Sequence, residues 1–214
     1  LVYTTQTSFL VRHTSQFATM SVSGTCNQGS QDSFCEGGLT VKLAVNNNLN
    51  WRTTTTANGS AAWTITSVTG VITGDVITVF LDGVSETNEA NAVTKFSGVS
   101  NITAIRLYHE QFTLGSADNQ TITNADISSY DNSVSGDEDI FFEVDASNDL
   151  TVALAGSVRN SLTVTANNTY RPDSASSGNV TVSHLQNNGT ITADGNTFNL
   201  SGTWWNFSAF TANS

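Results

Sequence analysis

Apolar and polar residues alternate along much of the chain, which is the pattern of β-strands that bury one face. Near the N-terminus, Ala18, Met20 and Val22 alternate with Thr19 and Ser21, and this period of two is typical of a half-buried strand. Five further runs, separated by Gly, Asn and Asp, predict an antiparallel β-sandwich. These runs are 39–45, 63–68, 76–83, 92–96 and 102–109.

The strands predicted in the second half are shorter, and one spacing between them suggests a different arrangement. Ile191-Thr-Ala-Asp is echoed 19 residues later by Phe210-Thr-Ala-Asn. A separation of this size fits one coil of a parallel β-helix, in which successive coils bury one another. We therefore predict a second β-rich region, either another sandwich or a short β-solenoid. Its strands are predicted over 121–127, 140–144, 150–154, 161–165, 179–183, 189–194, 197–201 and 204–210.

The pattern predicts an all-β chain with three parts: an extended segment over 1–25, a β-sandwich over 26–115 and the second β-rich domain over 116–214. Composition supports this class, because Thr is abundant with 32 residues, whereas helix formers such as Lys, Glu, Gln and Met are scarce. The extended segment has two interpretations. It is either the first strand of its own domain or a donor strand that pairs with another subunit.

Four runs resemble modules of large, repetitive, mostly uncharacterised secreted surface proteins of environmental bacteria. They are GDVITVFLDG (74–83), YDNSVSGDEDIFFEVD (130–145), NTYRPDSASSGNVT (168–181) and GTITADGNTF (189–198). The resemblance spans most of 39–214. It implies an adhesin-like or structural role at the cell surface, and it supplies no catalytic residues.

Charge and hydropathy exclude two classes of partner. The chain has 7 basic and 18 acidic residues and a net charge of −11, so a phosphate backbone would be repelled and nucleic acid is not an expected partner. No apolar run reaches the roughly 18 residues that a membrane-spanning helix needs, and no membrane insertion is expected.

The two cysteines indicate a compartment. Cys26 and Cys35 enclose eight residues, which suits a disulfide across a hairpin or loop; two free thiols are the alternative. No second Cys or His pair completes a zinc site. A disulfide implies an oxidising, extracellular location.

Acidic residues are concentrated in one window. The 52 residues between Arg106 and Arg159 contain ten carboxylates and no Lys or Arg. Oxygen-rich loops suit Ca²⁺, a hard cation that takes 6 to 8 oxygen ligands, and we predict Asp137, Asp139 and Asp145 as its ligands. The alternative is a solvated acidic face, since the spacing does not match an EF-hand loop. Calcium is thus a candidate cofactor and no other is indicated.

Catalytic patterns are weak. The three histidines are isolated in sequence, and there is no Gly-x-Ser-x-Gly to hold a nucleophilic serine. Two of the ten carboxylates could in principle act as a glycosidase pair, but no spacing singles out such a pair. We expect a protein that is not an enzyme.

The sequence therefore favours a structural subunit of an extracellular filament or cell-surface assembly, joined head to tail by β-strand addition between copies. The alternative is an adhesin or glycan-binding surface module stabilised by calcium, with surface glycans as partners. The C-terminal aromatic residues either dock on the chain's own sheet or contact a neighbouring subunit. The expected subunit contacts are Phe9, Val11, Met20, Val22, Trp204, Trp205, Phe207 and Phe210.

Overall fold

The structure is a computed structural model that describes residues 19–29, 33–152, 161–174 and 177–212. The predicted subunit contacts Phe9 and Val11 lie outside these ranges. The described residues form short strands with a few helical turns, so the predicted all-β class is confirmed. No helix in the described part of the chain has the length and apolar character needed to cross a membrane.

Two sheets build the first half as a β-sandwich. Its strands are β1 (Met20–Asn27), β2 (Thr40–Val45), β3 (Asn48–Thr55), β4 (Ala62–Val68), β5 (Val76–Asp82), β6 (Ala90–Lys95) and β7 (Ile102–Tyr108). The next strand along the chain is β8 (Gln111–Leu114). One sheet has the order β4-β1-β7, and the other contains β3, β2, β5 and β6 as antiparallel neighbours. Both sheets contribute to one apolar core.

Strand β1 lies in the centre of its sheet, antiparallel to β4 and parallel to β7. Met20 and Val22 are 4% and 0% exposed in the core of their own chain. The expectation that these two residues contact another subunit is therefore corrected, because both edges of β1 are already paired. Gly24 permits this arrangement, since a Cβ there would lie 2.0 Å from the Ile105 carbonyl oxygen.

The second half consists of very short strands and two single-turn helices. The helices are α1 (Asn124–Ile127) and α2 (Asn132–Ser135), and 3-10 turns lie at Glu86–Asn88 and Ser128–Tyr130. The strands are β9 (Thr121–Ile122), β10 (Phe142–Val144), β11 (Leu150–Val152), β12 (Ser161–Val164), β13 (Thr169–Tyr170), β14 (Val180–Val182), β15 (His184–Asn187), β16 (Thr190–Thr192), β17 (Phe198–Leu200), β18 (Trp204–Asn206) and β19 (Ala209–Thr211).

The strand predicted over 121–127 is wrong after its second residue. The Asp126 backbone N–H donates to the Thr123 hydroxyl at 3.1 Å, and the Thr123 N–H donates back to the Asp126 carboxylate at 2.9 Å. This reciprocal capping box satisfies donors that a helix start otherwise leaves free. It begins α1 at the point where the alternating pattern predicts a continuing strand.

From β8 onward the chain winds as a parallel β-helix, which confirms the solenoid alternative for the second half. Strands β8, β12, β15 and β18 pair in parallel in one sheet; β9, β13, β16 and β19 form a second, and β11, β14 and β17 pair in a third. Leu185 pairs with Trp204, and Ile191 pairs with Phe210. Both pairs are 19 residues apart, which is the coil length that the sequence predicts.

Stacked coils place equivalent side chains above one another inside the β-helix. One line of register partners runs through Phe112, Leu162, Leu185 and Trp204. The first three are fully buried, whereas Trp204, on the last described coil, is 41% exposed. The apolar interior of the β-helix therefore reaches the last described coil. Among the described residues, no further apolar layer covers it there.

One eight-stranded sheet joins the two halves. Its order is β18-β15-β12-β8-β6-β5-β2-β3, and β6 pairs in parallel with β8. Strand β6 of the sandwich thus occupies the position that a preceding coil would take. The predicted domain boundary at residue 115 falls just after β8. Because β8 pairs with β6 of the first half and β12 of the second, one sheet runs across this boundary.

A buried hydrogen bond inside the β-helix gives a stability prediction. The Tyr170 hydroxyl donates to the Asn124 side-chain oxygen at 2.6 Å, and both residues are buried. Tyr170→Phe leaves that oxygen without its donor, and we expect the free energy of unfolding to fall by about 1–2 kcal/mol, measured by urea denaturation. Tyr108→Phe, at a half-buried position, is the control and should cost less than about 0.5 kcal/mol. Equal losses would contradict the prediction.

Candidate functional site

The predicted disulfide is confirmed. It joins Cys26 at the end of β1 to Cys35, with the Cα atoms 5.4 Å apart. The His109 Nε2 atom lies 3.1 Å from the Cys35 sulfur, and burial lowers the pKa of His109. Because both sulfurs are bonded to each other, this group of three residues is a covalent link beside a buried imidazole and has no thiolate to offer a metal.

Acidic side chains meet where the sandwich contacts the loop after α2. An acidic pocket of about 520 Å³ lies between the β5–β6 connection and this loop. Its lining consists of Val84, Ser85, Glu86, Thr87, Glu89, Glu138 and Asp139. Four of these seven side chains are carboxylates, and none is basic.

Asp139 is held rigidly at one wall of the acidic pocket. It is 4% exposed, and its Oδ2 atom accepts the Gly83 backbone N–H at 2.9 Å. The buried Asn91 side chain on β6 donates to the Asp139 carbonyl at 2.9 Å and accepts the Phe141 N–H at 3.1 Å. The loop is thus tied to β6 through backbone groups on both sides of Ile140.

Glu89 forms another wall of the acidic pocket, directly before β6. It is 4% exposed, and its Oε2 atom is buried without a hydrogen-bond partner among the described residues. Burial, followed in order of importance by the nearby carboxylates of Asp139, Glu86, Glu138 and Asp137, raises the pKa of Glu89 to about 7. A buried carboxylate with an unsatisfied oxygen, whose charged neighbours in the pocket are all acidic, is electrostatically costly unless a proton or a cation offsets the charge.

Two of the three predicted calcium ligands lie together, with an unexpected third acid. Carboxylate oxygens of Asp137, Asp139 and Asp82 lie within 4.8 Å of one another. Asp82, which the sequence reasoning missed, also forms an ion pair with Lys42. Asp82 was missed because it lies outside the window between Arg106 and Arg159. The sequence signal that could have identified it is its position at the end of β5, directly before Gly83.

Asp145 does not join this group, so the predicted ligand set is corrected. Its Oδ1 atom accepts the backbone N–H groups of Ser147 at 2.8 Å and Asp149 at 3.0 Å, which closes the turn between β10 and β11. Aspartate commonly bonds to the backbone two residues on in this way. Its side chain lines a neighbouring acidic cleft of about 470 Å³ that also contains Glu86, Glu89 and Glu138.

The predicted C-terminal contacts lie on the last described coil, which we call the end surface (204–211). Trp205 is 43% exposed and Phe207 is 70% exposed, while Phe210 is half-buried. The Trp204 and Phe210 rings meet edge to face with centroids 4.8 Å apart, and Trp205 stacks on His184 at 5.5 Å. The aromatic residues therefore pack on the chain's own coils and still expose apolar area.

Backbone groups at the end surface point outward. The Phe207 N–H donates to the Asn187 carbonyl at 2.9 Å, and the Thr203 carbonyl accepts the Leu185 N–H at 3.0 Å. Because successive residues of a strand direct these groups to opposite sides, the N–H groups of Trp204 and Asn206 face away from β15. In the described ranges, β18 has no strand on that side.

No protein family matches this chain, and no curated protein or solved structure shows significant similarity to it. The resemblance to repetitive surface proteins accordingly stays a prediction.

Proposed function

We propose that this chain is a structural subunit of an extracellular filament or cell-surface assembly in which copies join head to tail by β-strand addition. The eight-stranded sheet carries the proposal. It has β3 at one edge and β18 at the other, and in the described ranges neither strand has a second partner. Pairing β18 of one copy with β3 of the next would extend one sheet through both subunits.

The end surface has the chemistry of a contact. Its exposed aromatic side chains would lose water on stacking, and residues 197–212 contain no charged side chain. Lysines, prolines and inward charges are the usual means by which proteins protect exposed sheet edges. Their lack along this stretch favours pairing, and the disulfide is compatible with an extracellular setting.

The position of β1 means that other strands must form the proposed contact between subunits. Residues of β1 pair with β4 and β7 of the same chain, so this strand is not the donor in the proposed contact. The edges of β18 and β3 take that role instead. Residues 1–18 of the predicted donor segment lie outside the described residues.

Two substitutions at one position test the proposal. Asn206→Pro removes the outward N–H that strand addition needs, whereas Asn206→Ala keeps this N–H and removes the same side chain. We expect filaments of the wild type and of Asn206→Ala in negative-stain electron microscopy. In sedimentation we expect Asn206→Pro to lower the assembled fraction at least tenfold at equal concentration.

Two outcomes would overturn the proposal: wild-type chains that stay monomeric at all concentrations, or an Asn206→Pro variant that assembles as well as Asn206→Ala. Circular dichroism of each variant shows whether the β-helix is retained, so a folding defect is separated from an assembly defect.

A polar groove favours the alternative proposal of a glycan-binding surface module. The groove of about 570 Å³ is lined by Arg106, Tyr108, Gln186 and other polar residues, and Gln186 pairs with Trp205 on the neighbouring strand. Aromatic rings beside amide groups suit sugar faces and hydroxyls. Saturable binding of a polysaccharide by a monomeric chain in the same experiments would support this alternative over assembly.

A further inference from the structure

The acidic pocket holds a carboxylate that the protein itself leaves unsatisfied. Glu89 is 96% buried, and its buried Oε2 atom has no donor among the described residues. A buried charged oxygen without a partner is rare in native structures and needs a specific explanation. Since Glu86, Glu138 and Asp139 line the same pocket, the missing partner is one that several carboxylates would share.

The donor set selects the class of partner. The pocket offers carboxylate oxygens, the hydroxyl groups of Ser85 and Thr87, and no basic, imidazole or sulfur group. Hard divalent cations prefer oxygen ligands, and Ca²⁺ accepts 6 to 8 of them in irregular geometry, with water completing the shell. The basic residue of the adjacent group, Lys42, pairs with Asp82, which is not among the pocket's lining residues.

Two residues of the acidic pocket, Asp139 and Glu89, are anchored by the fold before any ion arrives. Asp139 accepts the Gly83 N–H through Oδ2, and Asn91 fixes its backbone. Glu89 directly precedes Ala90, the first residue of β6, and its carbonyl accepts the Glu110 N–H at 2.7 Å. Because both residues are anchored to β6 or to its neighbours, binding an ion would order little additional chain.

We propose that the acidic pocket is a calcium site whose central ligands are Glu89 and Asp139, with Glu86 and Glu138 completing the carboxylate set. The site differs from the sequence-based prediction in its principal residue, and it does not depend on the assembly proposed above. A bound ion would join the β5–β6 connection to the loop after α2. It would therefore stabilise the contact between the sandwich and the loop that joins α2 to β10.

Calorimetric titration of the full chain tests the site. After treatment with chelator and its removal, CaCl₂ is titrated into the wild type, Glu89→Gln and Glu143→Gln. Glu143 is an exposed acid that lines the neighbouring acidic cleft but not the acidic pocket, so its substitution removes the same charge and leaves all four proposed ligands in place. We expect one saturable site in the wild type, at least a tenfold weaker affinity in Glu89→Gln, and less than a threefold change in Glu143→Gln.

A second readout separates folding from binding. Calcium should raise the Tm of the wild type and of Glu143→Gln, and at the same concentration it should raise the Tm of Glu89→Gln by clearly less. The proposal is overturned if the wild type does not bind calcium at millimolar concentration. It is also overturned if both substitutions weaken binding equally, which would indicate a diffuse acidic face, or if Mg²⁺ binds with the same affinity as Ca²⁺.

Discussion

Replacing Phe112 by alanine is expected to lower the free energy of unfolding by about 3–5 kcal/mol. Phe112 lies on β8, is fully buried, and stacks on Phe142 with ring centroids 4.1 Å apart. Strand β8 pairs with β6 on one side and β12 on the other. The cavity would therefore open where the sandwich and the β-helix meet, and we expect both halves to lose stability together in one transition.

Urea denaturation followed by tryptophan fluorescence and by circular dichroism measures this loss. Phe207→Ala is the matched control, because it removes the same atoms from a ring that is 70% exposed, and it should cost less than about 0.5 kcal/mol. Two separate transitions in Phe112→Ala, with only one shifted, would show that the shared sheet does not couple the halves.

Without divalent cations, the stability of the wild type is expected to fall as the pH rises through the range in which Glu89 loses its proton. The pKa of Glu89 is raised in the folded chain from 4.5 to about 7. Between these values the folded chain holds a proton that the unfolded chain has released, so the free energy of unfolding decreases with pH. A shift of this size corresponds to about 3 kcal/mol in total.

The variant Glu89→Gln isolates this contribution. Burial also raises the pKa of Asp139, which acts in the same direction, and lowers the pKa of His109, which acts in the opposite direction. Both groups are retained in the variant, so the difference between wild type and variant reports Glu89. We expect similar stabilities near pH 4.5 and a more stable variant at pH 8 in chelator. A difference that does not change with pH would contradict the prediction.

The sequence predicts the strands well where local pattern alone decides them. Alternation locates strands that bury one face, such as β2 and β4, but it does not predict β3, and β5 and β6 are buried on both faces. The separation of Ile191 and Phe210 predicts the coil length because stacked coils place equivalent residues in register. The helix α1 is missed because a capping box competes with the alternating pattern at Thr123. The two residues of the capping box, Thr123 and Asp126, are only three positions apart, so this helix start can be recognised from the local sequence.

The candidate site is less predictable because it depends on long-range contacts. Glu89 and Asp139 are 50 residues apart and line one pocket only because Asn91 on β6 binds the loop around Asp139. Composition locates an acidic region but does not distinguish an acid that closes its own turn, such as Asp145, from one that faces a pocket. The parallel pairing of β1 with β7 is equally invisible in a pattern of alternation.

The two edges of the eight-stranded sheet are not equivalent, and this has a consequence for any fibre built from it. Strand β3 has eight residues and belongs to an antiparallel pair, whereas β18 has three and belongs to a parallel stack. A head-to-tail fibre would therefore have a direction, with a different surface at each tip. Growth at one tip and attachment at the other would then depend on different residues. A ligand that binds one tip could therefore block growth without detaching the fibre at the other tip.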